Sequence, residues 1–380
     1  MIFYLVSKKV MICAGESSGE LYGASLSRQL KQNWPDIEIF GIGGSRMESE
    51  GVSMIAPITH ILGIVEVLKH LFEIRRTFNK AKNALIRQKP DVLVLIDYPD
   101  FNIALAKKAK SAGIPILYYV SPQVWAWRAG RVKKIASLVN RMAVLLPFEV
   151  TYYKNAGLPC EFVGHPIVER MHITGTKEQL KADLGLDPQK NVVALLPGSR
   201  PNELQKHQSI IKEVAEKIHA RYPDMQIVVP LVSGSVFPGT LPACMKVVFD
   251  STTEALACAD AAAVTSGTAT LETAVVGTPM VVFYKISPLT FLIGKMLSSV
   301  RFISLVNILS GKEVVKELLQ DEANADMIFS ELTRIIEDSQ YRNSMISSLN
   351  AIREMMAGKE PSSRVASIVG EMAGWYDAAV

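Results

Sequence analysis

Two turns of small residues carry most of the chemistry legible in this chain, Leu195-Leu-Pro-Gly-Ser-Arg200 and Ser266-Gly-Thr-Ala-Thr-Leu-Glu272. Each follows an apolar run, 192–196 and 261–265, that reads as a buried parallel strand. Each then opens a helical pattern, the first beginning near Glu203. A small-residue turn between strand and helix presents backbone N–H groups at the positive helix end, where phosphate binds. Gly198, Ser199, Ser266, Gly267 and Thr268 supply such turns, and Arg200 adds a planar fork for phosphate oxygens. Glu272, expected in the first turn of its helix, repels phosphate but accepts hydroxyls, so a ribose diol is its natural partner. The two turns together point to a nucleotide-diphosphate site in the C-terminal half.

The N-terminal half holds candidates for the reacting groups. Asp97 follows the apolar run 92–96, and Asp100 and Asn102 come within one turn of it. A carboxylate at such a strand end is a candidate general base; helix capping is the other reading, more natural for Asp100 and Asn102 than for Asp97. The Gly-rich turn Gly15-Glu-Ser-Ser-Gly-Glu-Leu-Tyr-Gly23 has neither the dinucleotide fingerprint nor a Walker lysine. Its acids, Glu16 and Glu20, disfavour a polyphosphate and suit a hydroxyl-rich or acyl-sugar ligand. No Asp-x-Asp spacing and no His or Cys grouping suggests a metal, so none is expected.

Trp125 and Trp127 alternate about a small residue after a predicted strand, beside Arg128, and could wall a sugar or acyl chain; core packing is the alternative. Ile64, Val65, Val67, Leu68, Leu71, Phe72 and Ile74 cover more than half a helix circumference, with Lys69, Arg75 and Arg76 close by. The sharper reading is a lip that dips into lipid, each side chain contributing roughly 1.5–3 kcal/mol on leaving water. His165, in a Gly-His-Pro break, reads as a hinge or hydrogen-bonding residue.

The elements that must position these groups alternate along all 380 residues. Apolar runs at 10–14, 37–42, 92–96, 116–120 and 142–146, then at 192–196, 227–231, 246–249, 261–265 and 280–283, are separated by amphipathic helices. That alternation is α/β and predicts two doubly wound parallel sheets, with ligands at the carboxyl ends of the strands in an interdomain cleft. The expected division is residues 1–166, 167–350 and a C-terminal helical segment, 351–380, whose domain the pattern does not assign. Lys+Arg 41 against Asp+Glu 37 gives a net charge of +4, too small to imply nucleic acid. Four scattered cysteines fit a reducing compartment, and charges interrupt the best apolar stretch, 289–309. A chain that lies on a membrane without crossing it is the expectation.

In order along nearly the whole length, the chain resembles the lipid-A-disaccharide synthase family. The motifs that carry the likeness are Ala14-Gly-Glu-Ser-Ser-Gly19, Gly63-Ile-Val-Glu-Val67, Asp97-Tyr-Pro-Asp-Phe-Asn102, Tyr119-Val-Ser-Pro-Gln-Val-Trp-Ala-Trp-Arg128, Leu146-Pro-Phe-Glu149, Phe162-Val-Gly-His-Pro166, Leu195–Arg200, Ser266–Glu272 and Leu318-Leu-Gln320. Glu20, where the family usually has Asp, and Val306, where Pro commonly precedes Asn307, depart from the pattern. The resemblance implies a GT-B fold and transfer of 2,3-diacylglucosamine from its UDP derivative to 2,3-diacylglucosamine 1-phosphate, with inversion and no metal or other cofactor. It further implies Asn307 and Gln320 on the uridine or phosphate side, peripheral attachment to the cytoplasmic face of the inner membrane, and a dimer exchanging C-terminal segments. Another UDP-sugar transferase acting on a lipid-linked acceptor, a non-hydrolysing sugar-nucleotide epimerase, and a non-catalytic nucleotide-sugar or lipid-binding protein are the competing readings. UDP release on mixing donor and acceptor separates a transferase from a binding protein.

Overall fold

The computed structural model describes residues 7–57, 71–122, 130–171, 173–285 and 301–376. The chain divides into two units, Met1–Pro166 with Lys359–Val380, and Ile167–Gly358. In the first, the described elements run β1 (Lys9–Ala14), α1 (Ser17–Asn33), β2 (Glu38–Gly43), α2 (Ser45–Ser49), β3 (Ser53–Pro57), α3 (Leu71–Gln88), β4 (Val92–Ile96), α4 (Pro99–Ser111), β5 (Ile116–Tyr119), α5 (Gly130–Ala136), β6 (Arg141–Val144), α6 (Glu149–Lys154) and β7 (Cys160–Phe162). The seven strands form one sheet ordered β3-β2-β1-β4-β5-β6-β7, and every pairing is parallel. Every residue of β4 is fully buried, as a strand covered by helices on both faces must be. Ala81 and Leu85 of α3 and Phe101 and Leu105 of α4 pack with Met11, Leu93, Leu95 and Tyr118 in the core.

The second unit repeats the plan with α7 (Ile167–Arg170), α8 (Lys177–Asp183), β8 (Val192–Leu196), α9 (Pro201–Arg221), β9 (Gln226–Leu231), β10 (Met245–Phe249), α10 (Thr252–Cys258), β11 (Ala261–Thr265), α11 (Thr268–Val276), β12 (Met280–Tyr284), α12 (Leu305–Ser310), β13 (Glu317–Leu319), α13 (Ala325–Glu337) and α14 (Ser339–Met356). Its six strands lie in the order β10-β9-β8-β11-β12-β13, again all parallel. Because α14 is one unbroken helix to Met356, no boundary falls at residue 350. The final helix, α15 (Pro361–Ala373), packs on α1 of the first unit. There Arg364 bonds the Glu161 carboxylate at 2.6 and 2.8 Å, and both Arg364 and Arg141 bond Glu371.

Three strands have no counterpart among the expected runs. β3, β7 and β13 are edge strands of three to five residues, too short and too exposed to show a buried run. The expected strand over 116–120 stops at Tyr119, because Val120 turns into the left-handed region at φ 68°.

Candidate functional site

Strand order decides where each sheet can hold a ligand. In a doubly wound sheet the helices splay apart where the strand order reverses, leaving a crevice at the carboxyl ends. In the first sheet that point is β1 beside β4, whose ends carry Glu16 and Asp97. In the second it is β8 beside β11, whose ends carry the turns 197–200 and 266–268.

At the first crevice the backbone is strained in a way side chains maintain. Asp97 and Tyr98 are both left-handed, at φ 46° and 49°, directly after β4. Two buried donors hold the Asp97 carbonyl, Asn102 Nδ2 at 2.7 Å and the Tyr118 hydroxyl at 2.7 Å. Gly15 lies so close to the Tyr98 ring that a Cβ on it would fall 2.1 Å from Cγ, which explains a glycine there. The turn sends the Asp97 carboxyl into a partly buried position, where desolvation first and the nearby Glu16 carboxylate second push it up to about 7. A carboxyl titrating near neutrality is suited to accept a proton there.

The neighbouring acids have other duties. Asp100 is a correction to the sequence reading: it lies in the first turn of α4 with its side chain 85% exposed, paired with Arg131 at 2.7 Å. Nothing brings it to the Asp97–Glu16 pair. Glu20 is buried, and its Oε1 accepts from the Arg46 N–H at 2.8 Å, capping α2. His165 is buried with its ring edge-on to Tyr22, and burial pushes it down to about 4.

At the second crevice Pro201 occupies the first turn of α9 and Gly198 takes φ 112°. Sequence reasoning missed the role of Glu203. Its Oε2 accepts from the Ser199 N–H at 3.1 Å and the Arg200 N–H at 3.3 Å, where the sequence predicts a phosphate oxygen. The signal is present in the chain, since an acid three residues after an N-cap is the spacing of a capping box. Gly198 permits that approach, for a Cβ there would meet the Glu203 carboxylate at 2.6 Å. Arg200 itself is 59% exposed and touches Glu203 only at 3.5 Å, so its guanidinium retains donors for another anion. The second turn differs. Gly267 caps α11 at φ 141° with nothing close to it among the described residues, and Ser266 donates to the Ile303 carbonyl at 3.2 Å.

Glu272 lies one turn further along α11 than the sequence suggests, with no acid in the first turn. Thr253 donates to it at 2.8 Å, and desolvation raises its pKa against the opposing pull of Thr253 and Arg170. Asn307 also requires correction. It is fully buried; its Nδ2 donates to the Val315 carbonyl and to Glu317, each at 2.8 Å, and its Oδ1 accepts from the Val314 and Val315 N–H groups. The amide is spent on folding the loop before β13 and presents nothing to a ligand. Gln320, at φ 54°, follows β13 and donates its N–H to the Tyr284 carbonyl. Ile64, Val65, Val67, Leu68, Trp125, Trp127 and Arg128 lie outside the described residues. Of the expected lip, Leu71 opens α3 and Phe72 beside it is 80% exposed. Among the described residues, no group of three or more His, Cys, Asp or Glu could hold a metal ion, and no helix is long and apolar enough to cross a membrane.

Comparison with known proteins decides the family. The lipid-A-disaccharide synthetase family model matches residues 10–368. The chain belongs to the lipid-A-disaccharide synthase family. Members include the Geobacter sulfurreducens lipid-A-disaccharide synthase, 44% identical over 97% of this chain and 98% of its own length. The Coxiella burnetii synthase (strain Dugway 5J108-111) is 38% identical over 96% of this chain and 98% of its own. The chain is therefore a glycosyltransferase of lipid A biosynthesis. Solved structures confirm the GT-B architecture at low identity. A kitacinnamycin glycotransferase superposes with TM-score 0.66 at 14% identity, covering 97% of this chain and 99% of that one. The S. aureus MnaA–UDP structure gives 0.65 at 12% identity and 97% of each chain.

Proposed function

We propose that this synthase condenses UDP-2,3-diacylglucosamine with 2,3-diacylglucosamine 1-phosphate, giving the β-1,6-linked tetraacyl disaccharide 1-phosphate and UDP. The observation that carries the mechanism is the Asp97 carboxyl, strained into place beside Glu16 and titrating at about 7. Its ionised form takes the proton from the acceptor 6-hydroxyl. The oxygen attacks the anomeric carbon from the face opposite the diphosphate, the carbon–oxygen bond to UDP breaks with its electron pair, and the configuration inverts. A positioned base of this kind is typically worth about 10²–10⁴-fold in rate.

The second unit holds the donor. Arg200 and the amides at the start of α11 offset charge on the departing diphosphate, the work a metal ion would otherwise do. Glu272, steadied by Thr253, takes ribose hydroxyls, and Gln320 lies on the uridine side. Asn307 shapes the loop and does not touch the nucleotide.

Both sugars carry acyl chains, so the enzyme works as a peripheral protein on the cytoplasmic face of the inner membrane. Exposed Phe72 beside exposed Arg75 and Arg76 supports that placement on an anionic surface. A homodimer made by exchanging α15 would reuse the Arg364–Glu161 contact in trans. The test is UDP release from purified lipids in chelator-treated buffer. Release that requires both lipids, with a disaccharide product by mass spectrometry, is expected; release from the donor alone refutes the condensation.

A further inference from the structure

His207 sits on the second turn of α9, fully buried, and its two ring nitrogens face partners of opposite kind. Nδ1 lies 2.8 Å from the Pro197 carbonyl oxygen, an acceptor; Nε2 lies 3.1 Å from the Lys285 backbone nitrogen, a donor. Only neutral imidazole with its proton on Nδ1 satisfies both. Burial favours that form, since it holds the ring's pKa below the ordinary histidine value. The ring is also fixed edge-on against Phe283, with centroids 5.2 Å apart.

The two partners belong to different strand ends. Pro197 begins the turn after β8, and Lys285 follows β12. β11 lies between those strands in the sheet, and its end carries the turn at Gly267. One imidazole therefore spans β11 and ties down the chain on either side of it. Glu203 adds a side-chain link across the same strand, its Oε1 accepting from the Tyr284 hydroxyl at 3.3 Å, but its bonds to backbone, from the Ser199 and Arg200 N–H groups, stay within one turn.

We propose that His207 is a positioning residue, which sets the 197–200 turn against the 266–268 turn so that Arg200 and the α11 amides meet one diphosphate. This rests on the donor-site reading above. A role in stability alone would lower the melting temperature and leave the affinity of the folded protein for UDP unchanged.

The experiment measures UDP binding by calorimetry, with donor KM and kcat, for the full chain and for His207→Leu, His207→Asn and His207→Gln. Asn places an amide nitrogen where Nδ1 stands and can donate to Pro197. Gln places its amide near Nε2, where its oxygen can accept from Lys285. His207→Leu should bind UDP about tenfold more weakly, equivalent to about 1.4 kcal/mol, raise donor KM by a similar factor, and lower kcat as well, because the same groups offset charge on the leaving diphosphate. His207→Asn should recover most of that loss and His207→Gln less, because the Pro197 bond is the one that holds the turn. Unchanged UDP affinity in folded His207→Leu overturns the proposal, as does His207→Asn binding no better than His207→Gln. The Asn–Gln comparison carries the test should the Leu variant not fold. Absence of UDP binding by the parent chain removes the donor-site reading, and this inference with it; binding by the parent with equal binding by all variants removes the inference alone.

Discussion

Replacing Asp97 by Asn tests the central assignment in two independent ways. In the folded chain this carboxyl is raised from 3.8 to about 7. A raised carboxyl means that folding favours the protonated form. Below about pH 4 the folded and unfolded chains both hold the proton and no penalty exists. Between pH 4 and 7 the unfolded chain releases it and the folded chain retains it, so stability falls as pH rises; above 7 the loss is complete. A rise of about 3 units at about 1.4 kcal/mol each sets a ceiling near 4 kcal/mol. Partial exposure of Asp97 reduces that to on the order of 2 kcal/mol. A neutral, isosteric carboxamide in the same place carries no such penalty. Asp97→Asn should therefore melt well above the parent at pH 8 and close to it at pH 4.5, by scanning fluorimetry at both values. Turnover moves the opposite way: the variant should bind UDP normally and lose about 10²–10⁴-fold in rate. Equal melting differences at the two pH values would show that Asp97 titrates alike folded and unfolded. Near-normal turnover would reject it as the base.

Three further outcomes follow from the same geometry, and a fourth from the apolar run 64–74 in the sequence. Glu16→Gln removes the like charge beside Asp97 and should move the acid limb of the kcat/KM profile down by about one unit or less; an upward shift would contradict the pairing. Arg200→Ala should raise the UDP dissociation constant about tenfold or more, the loss of one charge-assisted contact, and unchanged calorimetric affinity would count against the donor assignment. Asn307→Ala strands several buried bonding groups at once and should cost about 3 kcal/mol or more in urea unfolding; a neutral result would dissolve the loop-folding role. Changing Val67, Leu68, Leu71 and Phe72 to Ser should release the protein from anionic vesicles in a sedimentation assay with little change in melting temperature, whereas a collapse in melting temperature would make them core.

The sequence offers Asp97 and Asp100 alike, and the fold gives the two carboxyls different surroundings. Asp97 and Asp100 lie three residues apart, yet the left-handed turn at 97–98 sends one carboxyl inward while the first turn of α4 sends the other out to Arg131. The same holds for Asn307, whose amide is consumed by bonds to residues 314, 315 and 317 that no local pattern couples to it.

What the chain determines by itself is whatever depends on near neighbours. The buried strands 92–96, 192–196 and 261–265 are legible because apolar runs must leave water, and the small-residue turns after β8 and β11 because only such residues let a strand pass tightly into a helix. Tertiary structure alone decides strand order, and with it the two crevices where β1 meets β4 and β8 meets β11. It also decides that Glu203 takes up the amides after β8, and that Asn102 and Tyr118 hold the Asp97 backbone in its strained turn. These arrangements depend on which side chains meet once helices and strands pack, and spacing along the chain carries no record of that.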